Sequence, residues 1–470
     1  MKKSLFIIQA AILLLFCLNT FSQTNVNSLS KFKIYFNHPV NTSVSTGTNA
    51  VYLNNKVADT LVSYINKAKY TIDIAIYNFS TGTTMTPVIT ALNNAYVNRG
   101  VVVRYINNGS SSNSASSSLN AGIKKLSSPT STNYGIMHDK FMVVDANSAT
   151  ASDAFVWTGS TNWDTEQFNS DVNNVILIYD QPLAQAYTAE FNEMWGGTGS
   201  SPNTTNSKFG PDKTDPLSTH TFTIGGKTVE LYFSPTDGVN NHILSTINSA
   251  NSQLFFGVYT FTETNDANAI VTRHNSGVYC AGIMDQYSES YTPITTLSTA
   301  LGNNFKEYVQ SNSIYHNKFV IVDPCNTASD PTVLTGSHNW TSSADTKNDE
   351  NTLIIHDATT ANIYYQSFYQ NFYDLGGTLT PCTTSIAEEP WQANQDFLVY
   401  PNPANNNLFI ELSDYKNSTL EIRNTVGQVL QNIAVNDSKT QISVNDLASG
   451  IYFVIIKNDK RNEVRKIIIQ

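Results

Sequence analysis

Apolar and polar positions along the chain fall into two rhythms, strand-like and helical, and the order of those rhythms occurs twice. Lys33, Ile34, Tyr35 and Phe36 read as a strand, and Val57, Leu61, Val62 and Ile65 keep the spacing of one helix face. Residues 72–79 form a β-rich run of strand length. Met85, Val88, Ile89, Leu92 and Tyr96 then return to helical spacing and stop at Gly100. Strands follow at 101–106, 155–157 and 175–179, and a helix over 183–195 ends at Gly196-Gly197. Residues 109–118, almost entirely Ser, Asn and Gly, read as a flexible loop.

Residues 198–220 are rich in Ser, Thr, Asn, Pro and Gly and read as a linker, after which the order returns. A strand at 230–233 precedes a helix starting near Ile243, and residues 254–261 echo 72–79 with Tyr259 in the place of Tyr77. Strands at 278–284, 314–322, 333–334 and 353–355 lead to a helix over about 361–373, closed by Gly376-Gly377. Strands alternating with helices predict an α/β fold: two copies of one unit, residues 30–200 and 221–377, each with a mostly parallel or mixed sheet covered on both faces. Beyond a second linker at 378–396, short β-runs at 408–412, 420–422, 451–456 and 464–469 predict a small all-β sandwich over 397–470.

Composition shifts this picture toward an exported protein. Charged residues make up 14% of the 470, against roughly 25% in an average globular chain, so Asn, Ser and Thr supply much of the polar surface. Residues 1–22 read as a signal peptide, with Lys2 and Lys3, an apolar run over 5–18 and a cleavage site around Thr20-Phe21-Ser22. Cys17 would suit lipid attachment, but Phe16 stands where a small residue is needed. The apolar run is short for a membrane span, and no later segment matches it. The formal charge of -10 becomes -10 - 2 = -12 without Lys2 and Lys3. A chain this acidic has no broad attraction for nucleic acid or anionic membranes, although a local basic pocket is allowed. Cys280, Cys325 and Cys382 show no metal-ligand spacing. A bridge between Cys325 and Cys382 suits a secreted setting, with unpaired thiols as the alternative.

The candidate chemistry sits in one stretch that the two halves share. His138-Asp139-Lys140-Phe141-Met142-Val143-Val144-Asp145 corresponds to His316-Asn317-Lys318-Phe319-Val320-Ile321-Val322-Asp323. Each is followed by Thr-Gly-Ser-X-Asn-Trp, at Thr158 to Trp163 and Thr335 to Trp340. Residues two apart in a strand share a face, so His138 pairs with Lys140 and His316 with Lys318. Asp145 and Asp323 have the opposite parity, which suits them to orienting a strand end or a loop. Gly159 and Gly336 permit a close backbone approach, and Ser160, Asn162, Ser337 and Asn339 offer donors for an oxyanion. Two imidazoles, two ammoniums and these donors fit a phosphoryl group, with one imidazole neutral and attacking and the other protonated and donating. Such a pair titrates as a coupled unit. The set calls for neither metal nor cofactor.

These paired motifs resemble the phospholipase D superfamily over residues 30–377. The resemblance implies a pseudo-twofold fold with the motifs meeting at its interface, metal-independent phosphodiester cleavage and a phosphohistidine intermediate. It further implies His138 as nucleophile, His316 as acid and then base, and Lys140, Lys318, Asn162 and Asn339 as holders of the phosphate. Asp349-Glu350-Asn351 stands where the family often has a glutamate that orients a histidine. The first half has Asn173-Asn174 there, so the copies are expected to be unequal. Tyr400-Pro401-Asn402-Pro403, Gly427, Leu447-Ala448-Ser449-Gly450-Ile451-Tyr452 and Lys466-Ile467-Ile468-Ile469-Gln470 resemble the type A sorting domain of the type IX secretion system. The expected activity is hydrolysis of phospholipid head groups at a membrane surface, by a protein sent outside the cell through the type IX machinery and needing no stable protein partner. The alternatives are a nuclease of the same superfamily, favoured by the likeness of residues 345–351 to its compact endonuclease branch, and a non-catalytic phosphate-binding surface protein.

Overall fold

In a computed structural model the described residues are 31–131, 133–285, 290–382, 397–425, 427–458 and 461–470. The signal-peptide reading lies outside them. The chain divides into two compact units, Met1–Thr384 and Ser385–Gln470.

The first unit contains two eight-stranded mixed sheets with the same plan. In spatial order the first is Val51–Tyr52 (β2), Phe32–Phe36 (β1), Asn174–Ile178 (β8), Phe155–Gly159 (β7), Lys140–Val144 (β6), Thr71–Ile76 (β3), Val102–Asn107 (β4) and Lys124–Ser127 (β5). The second is Phe305–Glu307 (β13), Tyr279–Met284 (β12), Gln253–Val258 (β11), Lys318–Val322 (β14), Thr332–Gly336 (β15), Glu350–His356 (β16), Lys227–Ser234 (β10) and Thr221–Ile224 (β9). Each motif strand, β6 or β14, runs antiparallel to both neighbours at the middle of its sheet.

Strand periodicity explains why, beyond Lys140 and Lys318, the motif strands are apolar on both faces. Ile72, Ile74, Met142 and Val144 face one core, which belongs to the first half alone. Ala75, Phe141 and Val143 face a second core that is shared with Phe255, Phe319, Ile321 and Leu353 of the other half. Two long helices fill that shared core, Gln181–Trp195 with Tyr187, Phe191 and Trp195, and Ala358–Asp374 with Tyr364, Phe368 and Phe372. Each helix starts at an aspartate that accepts a backbone N–H, Asp180 from Leu183 at 3.0 Å and Asp357 from Thr360 at 3.1 Å. The two repeats are therefore halves of one body with a common interior.

Some expectations need correction. Residues 109–118 are tied down: Asn113 donates to the carbonyls of Tyr77 (3.2 Å) and Asn108 (3.0 Å) and accepts from Phe79 N–H (2.8 Å), and Ser114–Ser117 is a 3-10 turn. Short polar side chains that bond the backbone make order out of a composition that reads as flexible. Helices at Thr264–Asn275 and Thr292–Leu301 escaped the sequence reading; the first buries only Asp266, Ala267 and Ile270. Cys325 and Cys382 are joined by a disulfide, and Cys280 is free and buried. The second unit packs a three-stranded and a four-stranded antiparallel sheet around Leu408, Ile410, Leu420, Ile422, Val454, Ile456 and Ile467. Among the described residues no helix is long and apolar enough to cross a membrane.

Candidate active site

Each motif strand begins at its lysine, and the histidine just before it is placed by backbone pairing across the two halves. His138 N–H donates to the Asp349 carbonyl (2.9 Å) and Asp349 N–H to that of Ile136 (3.0 Å). His316 N–H donates to the Val172 carbonyl (2.9 Å) and Val172 N–H to that of Ile314 (2.8 Å). The residues after Asp349 and Val172 are Glu350 and Asn173, and their side chains meet the imidazoles. One short pairing thus fixes a histidine and its partner together.

His138 Nδ1 lies 2.9 and 2.8 Å from the Glu350 carboxylate oxygens, and His316 Nδ1 lies 3.1 Å from Asn173 Oδ1. An ionised carboxylate only accepts, so Nδ1 of His138 carries the proton and Nε2 keeps its lone pair. Asn173, for which the sequence offered no comparable role, makes the matching contact without the charge. Ser337 Oγ donates to Glu350 (2.6 Å) and Ser160 Oγ to Asn173 (2.8 Å), while each accepts from the backbone N–H of Asn351 (3.0 Å) or Asn174 (3.1 Å). That corrects their expected part as phosphate ligands: both hydroxyls are buried and already bonded, and they hold the imidazole partners. Gly159 and Gly336 allow this packing, since a Cβ would lie 2.4 Å from the Asn174 carbonyl oxygen or 2.1 Å from that of Asn351.

The lysines and histidines share one buried place. Lys140 Nζ donates to the His138 carbonyl (2.7 Å) and Lys318 Nζ to that of His316 (2.6 Å). Tyr77 lies with its ring centroid 5.0 Å from that of His138, and Tyr259 repeats this at His316, also at 5.0 Å. Burial, with the two lysines adding to it, pushes His138 down to about 4, against the pull of Glu350. His316 is held well below the usual imidazole value by burial, Lys318, Lys140 and His138. Burial lowers Lys140 to about 7 and takes Lys318 well below its ordinary value, with Lys140 contributing. Burial works to raise Glu350, but His138 and Lys140 outweigh it and keep the carboxyl below its ordinary value. The side-chain oxygens of Asn162 and Asn339 are buried without a hydrogen-bond partner, a deficit repeated in both halves.

Asp145 and Asp323 stand at the other end of their strands, roughly 16 Å away by strand rise. Asp145 accepts the N–H groups of Lys69, Tyr70 and Thr71, all at 2.8 Å. Asp323 accepts those of Asn251 (2.9 Å), Ser252 (2.8 Å) and Gln253 (2.7 Å). Both adopt positive φ, 52° and 47°, as Asp tolerates. These contacts make them anchors for the loops entering β3 and β11. Asp145→Ala is expected to destabilise the fold by about 2–4 kcal/mol through the orphaned N–H groups, read as a lower urea midpoint, with kcat of the remaining folded enzyme unchanged; an unaltered midpoint refutes this.

Two further layers escaped the sequence reading. Asn351 Nδ2 donates to Asp139 Oδ1 (3.0 Å) and Asn174 Nδ2 to Asn317 Oδ1 (2.8 Å), again across the halves. The doubled Asn174/Asn351 and the aligned Tyr77/Tyr259 were the available signals. Among the described residues, Asp215, His220 and Asp237 place ligand atoms within 4.8 Å of one another and could hold a metal ion. None of them belongs to the histidine and lysine set.

Residues 61–195 and 243–372 match the family model described as cardiolipin synthase, PLD-like domain, and residues 398–470 match the secretion system C-terminal sorting domain. The chain is 28% identical over 152 residues to a mitochondrial cardiolipin hydrolase of Drosophila melanogaster, covering 29% of this chain and 57% of that one. It is 27% identical over 142 residues to a phospholipase D of Rickettsia bellii, covering 30% and 67%. The chain thus spans little more than half the length of the fly relative. The phosphatidylserine synthase structure from Haemophilus influenzae shares the fold with a TM-score of 0.50 at 12% identity, covering 75% of this chain and 88% of that one. With both halves inside the matched segments, the chain belongs to the phospholipase D-like family and carries a secretion-system sorting domain at its C-terminal end.

Proposed function

We propose that the protein is a secreted phosphodiesterase of the phospholipase D type that hydrolyses phospholipid head groups through a phosphohistidine. The observation that carries this reading is the unequal imidazole pair, His138 backed by the Glu350 carboxylate and His316 by the Asn173 amide, between two buried lysines. The diester monoanion brings the negative charge the site lacks, and its non-bridging oxygens are met by Lys140, Lys318, Asn162 and Asn339.

His138 Nε2 attacks phosphorus, forming the N–P bond as the P–O bond to the leaving group breaks. His316, protonated at Nε2, gives that proton to the departing oxygen. Glu350 stabilises the positive charge on the phosphorylated ring. His316 then removes a proton from water, the water oxygen attacks phosphorus, and cleavage of the P–N bond releases a phosphomonoester and His138. An amide at Nδ1 suits His316 to this work, because without a carboxylate its imidazolium is the stronger acid.

The names of the fly and rickettsial relatives support a lipid substrate, as does a net charge of -10, which disfavours polyanionic nucleic acid. The sorting-domain match supports type IX export to the cell surface or medium. A side-by-side assay of phosphatidylcholine, phosphatidylethanolamine, cardiolipin and single- and double-stranded DNA tests the reading. Release of head group from at least one lipid is expected to exceed DNA cleavage and to persist in EDTA. Cleavage of DNA alone, or loss in EDTA that a divalent ion restores, refutes it.

A further inference from the structure

The backbone around the two histidines is pseudo-symmetric, but the charges beneath it are not. On the His138 side stand Asp139, Glu190, Asp349 and Glu350, all buried. Their counterparts by strand register and helix position are Asn317, Ser367, Val172 and Asn173, none ionisable. Glu190 and Ser367 sit at the same offset from the helix caps Asp180 and Asp357. A buried cation from the segment joining the halves meets two of these carboxylates. Lys213, fully buried at its side chain, donates to Glu190 and to Asp349 Oδ1 (3.0 Å), and also to the Ser234 carbonyl (2.8 Å). It also weighs on Asp139, whose Oδ2 is buried without a partner. Gly210 N–H, from the same segment, donates to Asp349 Oδ1 at 2.7 Å.

Asp349 is where this network touches the chemistry. Its backbone pairs with Ile136 and His138, and its chain neighbour is Glu350. Whatever holds Asp349 sets the position of the imidazole and of the carboxylate on it at once. We propose that Lys213 is a positioning residue for the His138–Glu350 pair, clamping Asp349 from the inter-half segment and balancing a carboxylate cluster that exists on one side only. This rests on the reaction proposed above. The segment read as a linker from its composition is then part of the site's frame.

Two variants of the full chain test the clamp. Lys213→Met removes it and leaves Glu190 without its partner. Lys213→Met with Glu190→Gln removes the clamp together with that orphaned carboxyl, which helps the variant to fold. The readouts are kcat and KM with bis(p-nitrophenyl) phosphate, together with thermal melting by circular dichroism. Both variants are expected to lose at least about tenfold in kcat, since a misplacement near 1 Å costs up to about 10²-fold, with KM within about threefold. A loss in kcat at nearly constant KM, with the fold retained, is the signature of a displaced His138–Glu350 pair. A folded variant of either kind with kcat within about twofold of wild type overturns the proposal, and so does failure of both to fold, which would make Lys213 a counter-ion of the core alone. If the wild-type protein cleaves no phosphodiester at all, it is the reaction proposed above that fails.

Discussion

Alanine in place of His138 is expected to lower turnover of phosphodiesters by about 10⁴-fold or more, because it removes the attacking nitrogen. Asparagine in place of His316 should behave differently. With an activated substrate such as a p-nitrophenyl phosphodiester, the leaving group departs without a proton, so His138 still becomes phosphorylated. The second step then lacks the base that activates water, and the phosphoenzyme accumulates. Rapid alkaline quenching followed by peptide mass spectrometry should place the phosphate on His138 in that variant and find none in His138→Ala. Label on His316 would reverse the assignment of the two roles.

The second large effect concerns Glu350. Glutamine there converts the first site into an electrostatic copy of the second, with an amide on Nδ1 in both. The charge-assisted bond and the stabilisation of the phosphorylated imidazolium are both lost, so kcat is expected to fall by about 10²–10³-fold, in line with the roughly 3–4 kcal/mol of comparable electrostatic groups. The pH dependence gives a sign as well. Glu350 raises the proton affinity of His138 against burial and the lysines. Without it the imidazole stays neutral to lower pH, and the acid limb of kcat/KM moves downward while the plateau drops. An unmoved limb would mean that the limb belongs to another group. Glu350 is itself held ionised by His138 and Lys140 against burial, so Glu350→Gln also relieves a buried charge, and the variant is expected to remain folded.

Much of the architecture was legible because burial on both faces leaves an unmistakable trace. The run 72–79 and its echo at 254–261 carry apolar residues at both parities, since Ile72 and Leu254 meet a core of their own half and Ala75 and Phe255 the shared core. The helix Thr264–Asn275 left little trace, with Ala267 and Ile270 as its buried apolar residues. At the site, spacing in the sequence brought together His138 with Lys140 and His316 with Lys318. It could not tell which histidine Glu350 meets, because that contact joins residues 212 positions apart. Nor could it separate Ser160 and Ser337 from Asn162 and Asn339, which share one turn while facing different needs: the serines are used up in holding the imidazole partners, and the asparagine oxygens have none. Lys213 gave no signal, for a lysine among Pro, Asp and Thr looks like any solvated charge.

The crossing of partners between halves has a consequence for how activity can appear and disappear. Each histidine receives its Nδ1 acceptor and its backbone pairing from the other half. A chain with one half folded and the other not therefore has no imidazole of fixed tautomer and no partial site. On the proposed reading, activity reports the assembly of both halves: a proteolytic cut that releases either half takes the Nδ1 acceptor from both histidines together.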